Sequence, residues 1–297
     1  MIGRFAPSPT GPLHFGSLLA ALASYLEAKT KSGKWLVRME DLDKPREMPG
    51  AADNILHTLE AFSFEWDGEV VYQSQRSALY QEALNQLKAK ALIYQCDCSR
   101  REIADSYNQK PAQHGIDGFI YPGTCRHKAM VKTPHASRVI VDSRPITFDD
   151  VIQGQIQQNL AHDIGDFVLK RADGLYAYQL AVVVDDFEQG ITDIVRGADL
   201  LDSTPRQIYL QQLLGYPTPK YAHIPVASNT AGEKLSKQTL APAIDATQAT
   251  IWLNKALDFL GQQPPKDLAE HHLGDIWQWA KQHWDITKIP HQRSIVF

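Results

Sequence analysis

Hydrophobic and polar positions along the chain form short apolar runs that alternate with stretches of helical spacing. Ile2 to Phe5 predicts a short strand. The prolines and glycine of Ala6-Pro7-Ser8-Pro9-Thr10-Gly11-Pro12 end it, because proline locks φ and removes a backbone donor. After Phe15-Gly16-Ser17, the Leu- and Ala-rich stretch LLAALASYLEAKTK predicts a helix with Gly33 as its stop. Trp35 to Glu40 reads as a buried strand ending in the acidic turn Asp41-Leu42-Asp43, and residues 51–64 and 75–92 carry helical spacing. Alternation of this kind predicts an α/β fold with a doubly wound parallel sheet.

Between residues 95 and 175 the helical rhythm gives way to cysteines, glycines and strand-like pieces such as Arg138 to Val141 and Phe167 to Lys170, which reads as an inserted subdomain. Tyr178 to Asp186 then reads as an apolar strand ending in two carboxylates, Asp185 and Asp186, with a supporting role near substrate. Ile191 to Gly197 follows and closes the sheet. After Pro217 the chain is loop-rich around Gly232-Glu233-Lys234, and the rest reads as mainly helical. There His271 and His272 lie near Trp277, Trp279 and Trp284, which predicts an aromatic packing face. The expected organisation is 1–94 and 176–225 as two halves of one domain, 95–175 as the insertion, and 226–297 as a loop and helical subdomain.

With 43% hydrophobic and 22% charged residues, the chain has the makeup of a globular protein, and 297 residues give a prior of about two domains. No apolar run approaches the ~20 residues of a bilayer span, and no leader pattern precedes the first prolines, so the expectation is a cytoplasmic protein with no membrane partner. A net charge of -4 advertises no global nucleic-acid field. Any RNA contact falls to local patches: Arg100-Arg101, Arg126-His127-Lys128 with Lys132, and Lys170-Arg171.

Two motifs carry chemistry. In Gly11-Pro12-Leu13-His14-Phe15-Gly16-Ser17 a loop enters a helix, whose free N–H groups and positive dipole end suit phosphates. His14 adds a donor, and Gly16 lets a base or ribose approach bare backbone. Downstream, Lys234-Leu235-Ser236-Lys237 sets two lysines around a hydroxyl, suited to charge building on a departing pyrophosphate. No GxxxxGK[ST] phosphate loop occurs. Together, Arg4 to Ser17 and Lys234 to Gln238 resemble the HIGH and KMSKS signatures of class I aminoacyl-tRNA synthetases in their glutamyl form. Ser17 stands where HIGH has its second histidine, and Gln238 where KMSKS has its last serine.

The resemblance implies the Rossmann-like catalytic fold of class I synthetases. It implies His14 and Lys237 as catalytic groups, and Pro7, Gly11, His14, Gly16, Ser17, Lys234, Ser236 and Lys237 as ATP-binding residues. Glutamate needs guanidinium forks for its carboxylates and an acid for its ammonium. By resemblance Arg4, Ser8 and Arg196 meet the carboxylates, Glu40 the ammonium, and Tyr178 donates a hydroxyl. The plainer alternatives are Glu40 paired with Arg38 or Lys44, and Arg196 capping a strand end. The short region after Gln238 leaves no room for the anticodon-binding part of a glutamyl-tRNA synthetase. With the cysteine insertion this resembles the shortened glutamyl-queuosine tRNA(Asp) synthetase branch. The resemblance implies a monomer that activates L-glutamate with ATP and magnesium without tRNA, then modifies queuosine in the anticodon of tRNA(Asp). The rivals are a truncated enzyme charging tRNA(Glu) and a non-catalytic nucleotide- or RNA-binding regulator.

Cys96, Cys98 and Cys125 offer three ligands for one structural zinc, which prefers four. Chemistry nominates His114 or His127 as the fourth, whereas the resemblance points to Tyr121, four residues before the last cysteine. Three reduced, unligated thiols are the other reading.

Overall fold

The computed structural model describes residues 1–106, 114–116, 118–234 and 242–297. Strand β1 (Ile2–Phe5) leads through the proline segment into helix α1 (Phe15–Lys29), and β2 (Lys34–Met39) returns parallel to β1. The turn between them needs Gly33, where a Cβ would stand 2.6 Å from the Met1 carbonyl oxygen. Helix α2 (Ala51–Ala61), strand β3 (Val71–Tyr72), parallel to β2, and helix α3 (Ser77–Ala89) continue the alternation.

Next come β4 (Ile93–Cys96), α4 (Arg100–Asp105), the short pair β5 (His114–Gly115) and β6 (Gly118–Phe119), and β7 (Ala136–Val139). After them lie β8 (Ile146–Asp150), β9 (Gly154–Gln158), α5 (Leu160–Asp163) and β10 (Val168–Lys170). The chain then forms α6 (Tyr178–Glu188), β11 (Asp193–Gly197), α7 (Thr204–Leu214), β12 (Lys220–Ile224) and β13 (Val226–Ser228). It ends with α8 (Ala249–Phe259), α9 (Leu273–His283) and β14 (Ser294–Val296).

The central layer reads β3-β2-β1 and β11-β12-β8-β9. The two edges meet where the Thr192 amide donates to the Ile2 carbonyl, 3.0 Å, and the Ile2 amide to Thr192 Oγ1, 2.8 Å. Alternate strand residues face opposite cores. Trp35, Val37, Val195 and Ala222 join α1, α8 and α9, whereas Leu36, Ile194 and Tyr221 join α3, α6 and α7. Both faces are therefore covered by helices, as a doubly wound sheet requires. The sheet is mixed rather than wholly parallel, because β8 and β9 form an antiparallel hairpin at its edge. That hairpin lies within residues 95–175, while β10-β7-β4 makes a separate antiparallel sheet beside the cysteines.

One element departs from expectation. Tyr178 to Asp186 is not a strand but the body of α6. The run is apolar because the helix is enclosed, with Leu180 through Asp186 all buried, and an apolar run of that length does not distinguish a buried strand from a buried helix. The C-terminal region is helical as expected, except that β14 adds itself parallel to β13. Trp277 packs against Tyr25 and Phe64 at ring separations of 4.9 and 5.0 Å and donates to the Phe62 carbonyl, 2.9 Å. No helix among the described residues is long and apolar enough to cross a membrane.

Candidate active site

At the C-terminal ends of β1, β11 and β12 a cavity of about 450 Å³ opens against the start of α1. A crevice beyond strand carboxyl ends is where open α/β sheets hold ligands. Its walls include Pro7, Ser8, His14, Gly16 and Ser17 from the first loop and helix. His14 is the N-cap of α1: its Nδ1 accepts from the Ser17 amide at 3.4 Å. That bond fixes the imidazole at the positive end of the helix. Gly11 is absent from the wall; its φ of 142° shows a backbone role in the turn. Across the cavity Lys234 holds Asp199 at 2.5 Å. Ser236 and Lys237 lie outside the described residues.

Arg4, Ser8, Glu40, Tyr178 and Arg196 all reach the same wall. Arg4 is fixed through Nε, 3.1 Å from Asp186 Oδ1, and Arg38 Nη2 reaches the same oxygen at 2.9 Å. Burial alone would raise the Asp186 carboxyl, but Arg4 and Arg38 hold it below the usual range. Glu40 behaves in the opposite way. Burial raises its pKa beyond what Arg38 and Arg4 restore, although Arg38 Nη2 stands 3.3 Å from Glu40 Oε1. The Arg38 pairing is thus present and insufficient, while Lys44 pairs with Glu47 at 2.8 Å. Burial also raises the Tyr178 phenol.

Arg196 does not cap its strand. Nε donates to His223 Nε2 at 3.0 Å, and Nη2 donates to Thr204 Oγ1 and Gln207 Oε1, each at 2.8 Å. Its Nη1 is buried with no hydrogen-bond partner among the described residues. Asp185 stands one residue before Asp186 on α6, so it turns elsewhere: Arg76 Nε at 2.6 Å, Gln73 Nε2 and Tyr80 Oη at 2.8 Å.

The cysteines also converge. Their three Sγ atoms lie within 4.8 Å of one another, Cys98 and Cys125 at 3.4 Å. Tyr121 Oη joins them at 3.3 Å from Cys96 and 3.6 Å from Cys98. Ligands on a tetrahedron around zinc, with Zn–S of ~2.3 Å, stand about 3.8 Å apart, so this donor set fits such an ion. His127 is exposed, and the His114 side chain falls outside the described residues. Of the basic patches, Arg126 pairs with Asp166, Lys128 with Asp97 and Arg171 with Asp173, while Arg100 and Arg101 are exposed on α4.

Residues 1–257 match the family of tRNA synthetases class I (E and Q), catalytic domain. The chain belongs to that family. It is 59% identical over 297 residues to the glutamyl-Q tRNA(Asp) synthetase of Dechloromonas aromatica, covering 99% of this chain and 97% of that protein. It is 58% identical over 292 residues to the protein of the same name in Neisseria meningitidis serogroup C, covering 97% of each. In structure it resembles the glutamate-tRNA synthetase of Elizabethkingia anophelis, with a TM-score of 0.82 at 24% identity, covering all of this chain and 68% of that one.

In this class I synthetase domain, sequence reasoning named Arg38 only as an alternative partner for Glu40, and missed Asp150, Thr204, Gln207 and His223 behind the pocket. A buried arginine in the middle of an apolar strand, as at Arg38, was the one signal available. Asp150 and His223 come together only through strand pairing, which places Arg196 beside His223 and Tyr221 beside Asp150, while Thr204 and Gln207 arrive on the first turn of α7.

Proposed function

We propose that this chain activates L-glutamate with ATP and magnesium to glutamyl-adenylate without RNA, then transfers glutamate to the queuosine base in the anticodon of tRNA(Asp). The observation that carries the reading is the single cavity lined by two arginines, a buried acid and a tyrosine on one side and a helix N-terminus on the other. The near-full-length relatives named glutamyl-Q tRNA(Asp) synthetase favour the queuosine acceptor over a charging enzyme.

Arg4 and Arg196 receive carboxylate oxygens, with Ser8 and Tyr178 adding hydroxyls, and the substrate ammonium adds a second cation beside Arg38 at Glu40. The phosphates of ATP lie at the N-terminus of α1 beside His14, with Gly16 and Ser17 offering close backbone approach and Pro7 and Gly11 shaping the turn. The α-carboxylate of glutamate attacks the α-phosphorus, a mixed anhydride forms, and pyrophosphate leaves with its bonding electrons. Lys234, Ser236 and Lys237 neutralise the charge that departs. No covalent enzyme intermediate is required, because orientation and electrostatics suffice for this displacement. A hydroxyl of the queuosine cyclopentenediol then attacks the acyl carbon and AMP leaves. One zinc held by Cys96, Cys98, Tyr121 and Cys125 gives the lobe a rigid frame, in a cytoplasmic monomer.

The test is pyrophosphate exchange into ATP with no RNA present, comparing glutamate, glutamine and aspartate, followed by transfer to tRNA(Asp) with and without queuosine. Exchange with glutamate alone and transfer only to the queuosine form are expected. Exchange that appears only on adding tRNA(Glu) would make this a charging enzyme, and silence under every condition a binding protein.

A further inference from the structure

Arg196 is an unusual carboxylate anchor, because most of its donors are already used. Nε is bonded to His223, and Nη2 to Thr204 and Gln207, with the Leu200 carbonyl at 3.4 Å. The side chain is 4% exposed and its ring-facing side lies over Tyr221, 5.4 Å from the centroid. Only Nη1 remains, buried and unpartnered. The parallel Nε/Nη2 fork, which arginine commonly offers a carboxylate, is closed.

Thr204 and Gln207 close its Nη2 side, and His223, backed by Asp150 and like it absent from the cavity wall, closes its Nε. His223 Nε2 can accept from Arg196 only when unprotonated, which puts the proton of the neutral ring on Nδ1. There Asp150 Oδ2 lies 2.6 Å away and accepts it. Asp150 is itself held by the amides of Ile152, Gln153 and His223, at 3.1, 2.9 and 3.1 Å, so it has no freedom to turn. Thr204 Oγ1 stands 3.1 Å from the same Nε2. A proton on Nε2 would set the ring N–H against the Arg196 Nε–H as two donors facing each other, while Thr204 Oγ1 accepts from Arg196 Nη2 and gives its own proton to the Leu200 carbonyl, 3.2 Å. Burial, more than the neighbouring Arg196, pushes His223 down to about 4 against the pull of Asp150, so the ring is neutral across the working range.

We infer that Asp150 and His223 are positioning residues that lock Arg196 with Nη1 turned to the amino-acid substrate, so that glutamate affinity depends on a brace reaching into the β8–β9 hairpin. The inference rests on the glutamate reading above. His223 touches no reacting atom; it acts through Arg196.

The experiment measures glutamate and ATP KM and kcat by pyrophosphate exchange in the full chain for His223→Leu, His223→Gln and Asp150→Asn. Removing a partner of a buried, hydrogen-bonded charge commonly costs roughly 10–100-fold or more in affinity. His223→Leu should therefore raise the glutamate KM by that order and leave the ATP KM within about twofold. His223→Gln, whose carbonyl oxygen can accept from Arg196 Nε, should recover most of the loss, and Asp150→Asn should fall between them. Equal KM values for glutamate in wild type and His223→Leu would overturn the brace, as would equal damage to both KM values with no rescue by Gln. Should the variants not fold, the wild-type imidazole ¹H–¹⁵N spectrum decides: a neutral Nδ1–H tautomer for His223 at about pH 6 is expected, and a charged ring or an Nε2–H tautomer overturns it. No exchange by wild type with glutamate, while that spectrum shows the Nδ1–H form, would sink the functional reading and leave the brace standing.

Discussion

The amino-acid pocket and the cysteine lobe both gather polar groups from distant parts of the chain, but by different means. Around the pocket, Arg4, Arg38, Asp185 and Asp186 are each nearly or wholly buried and bonded to one another, with two large apolar cores on either side of the sheet. In the lobe, the buried cluster is Cys96, Tyr121 and Cys125, with Tyr94, Cys98 and Ile103 packed against it. Charges can be prepositioned without a ligand only where a core holds the strands that carry them; a small lobe lacks that core and would gain rigidity from the proposed zinc. The pocket is framed by its own ion pairs, whereas the frame of the lobe is assigned to the proposed zinc.

The largest effect should come from breaking the pocket's own frame. Asp186→Ala leaves Arg4 and Arg38 buried without their shared acceptor, which costs about 3–5 kcal/mol. Urea denaturation should show this as a lower midpoint for the whole chain, and Asp186→Asn, which keeps an acceptor oxygen, should lose less. A midpoint for Asp186→Ala indistinguishable from wild type would mean the ion network is not what holds the pocket.

A smaller and more local effect is expected on the other side. Metal analysis should find one zinc per chain, and its removal, or Cys125→Ser, should speed amide exchange in β4 and β7 by about tenfold or more, equivalent to ~1.4 kcal/mol of local opening. Exchange in β1, α1 and α6 should not change. Equal loss of protection in both regions would erase the distinction between them.

The comparison also explains what could be read from the sequence. β1, α1 and β2 are legible because prolines and glycines punctuate them, and the pocket residues because the family resemblance indicates them, their types suiting a substrate with two carboxylates and an ammonium. The strand pieces around Val139 and Leu169 were legible for the same reason of short apolar runs between turn residues. α6 was not, since enclosure on all sides removes the polar face that gives a helix its period. That error had a consequence at Asp185 and Asp186. Adjacent residues on a helix point about 100° apart, so one pairs with Arg76 and the other with Arg4, instead of both standing at a strand end. The Asp150–His223 pair was invisible because 73 residues separate its members and no local pattern joins them. The fourth group of the cysteine cluster, Tyr121, was open to chemistry and indicated only by resemblance.

The smallest effect separates the two regions by pH. His223 has a folded pKa of about 4, lowered chiefly by burial, against an ordinary value near ~6.5. Between these values the unfolded chain binds a proton that the folded chain refuses, so stability rises with pH through this window and is flat above it. Going down from about pH 7 to about pH 5.5 should therefore remove ~1 kcal/mol through this one residue. Asp150, which His223 and backbone amides hold below the ordinary carboxylate range against its burial, stays charged throughout and adds nothing to the slope there. The measurement is the denaturation free energy of wild type and His223→Gln at both pH values. The variant should be less stable overall, yet its loss on acidification should be smaller than that of wild type by that amount. An identical slope in the two proteins would place the ring in solvent contact, and the pocket would then owe its order to a ligand, as is proposed for the lobe.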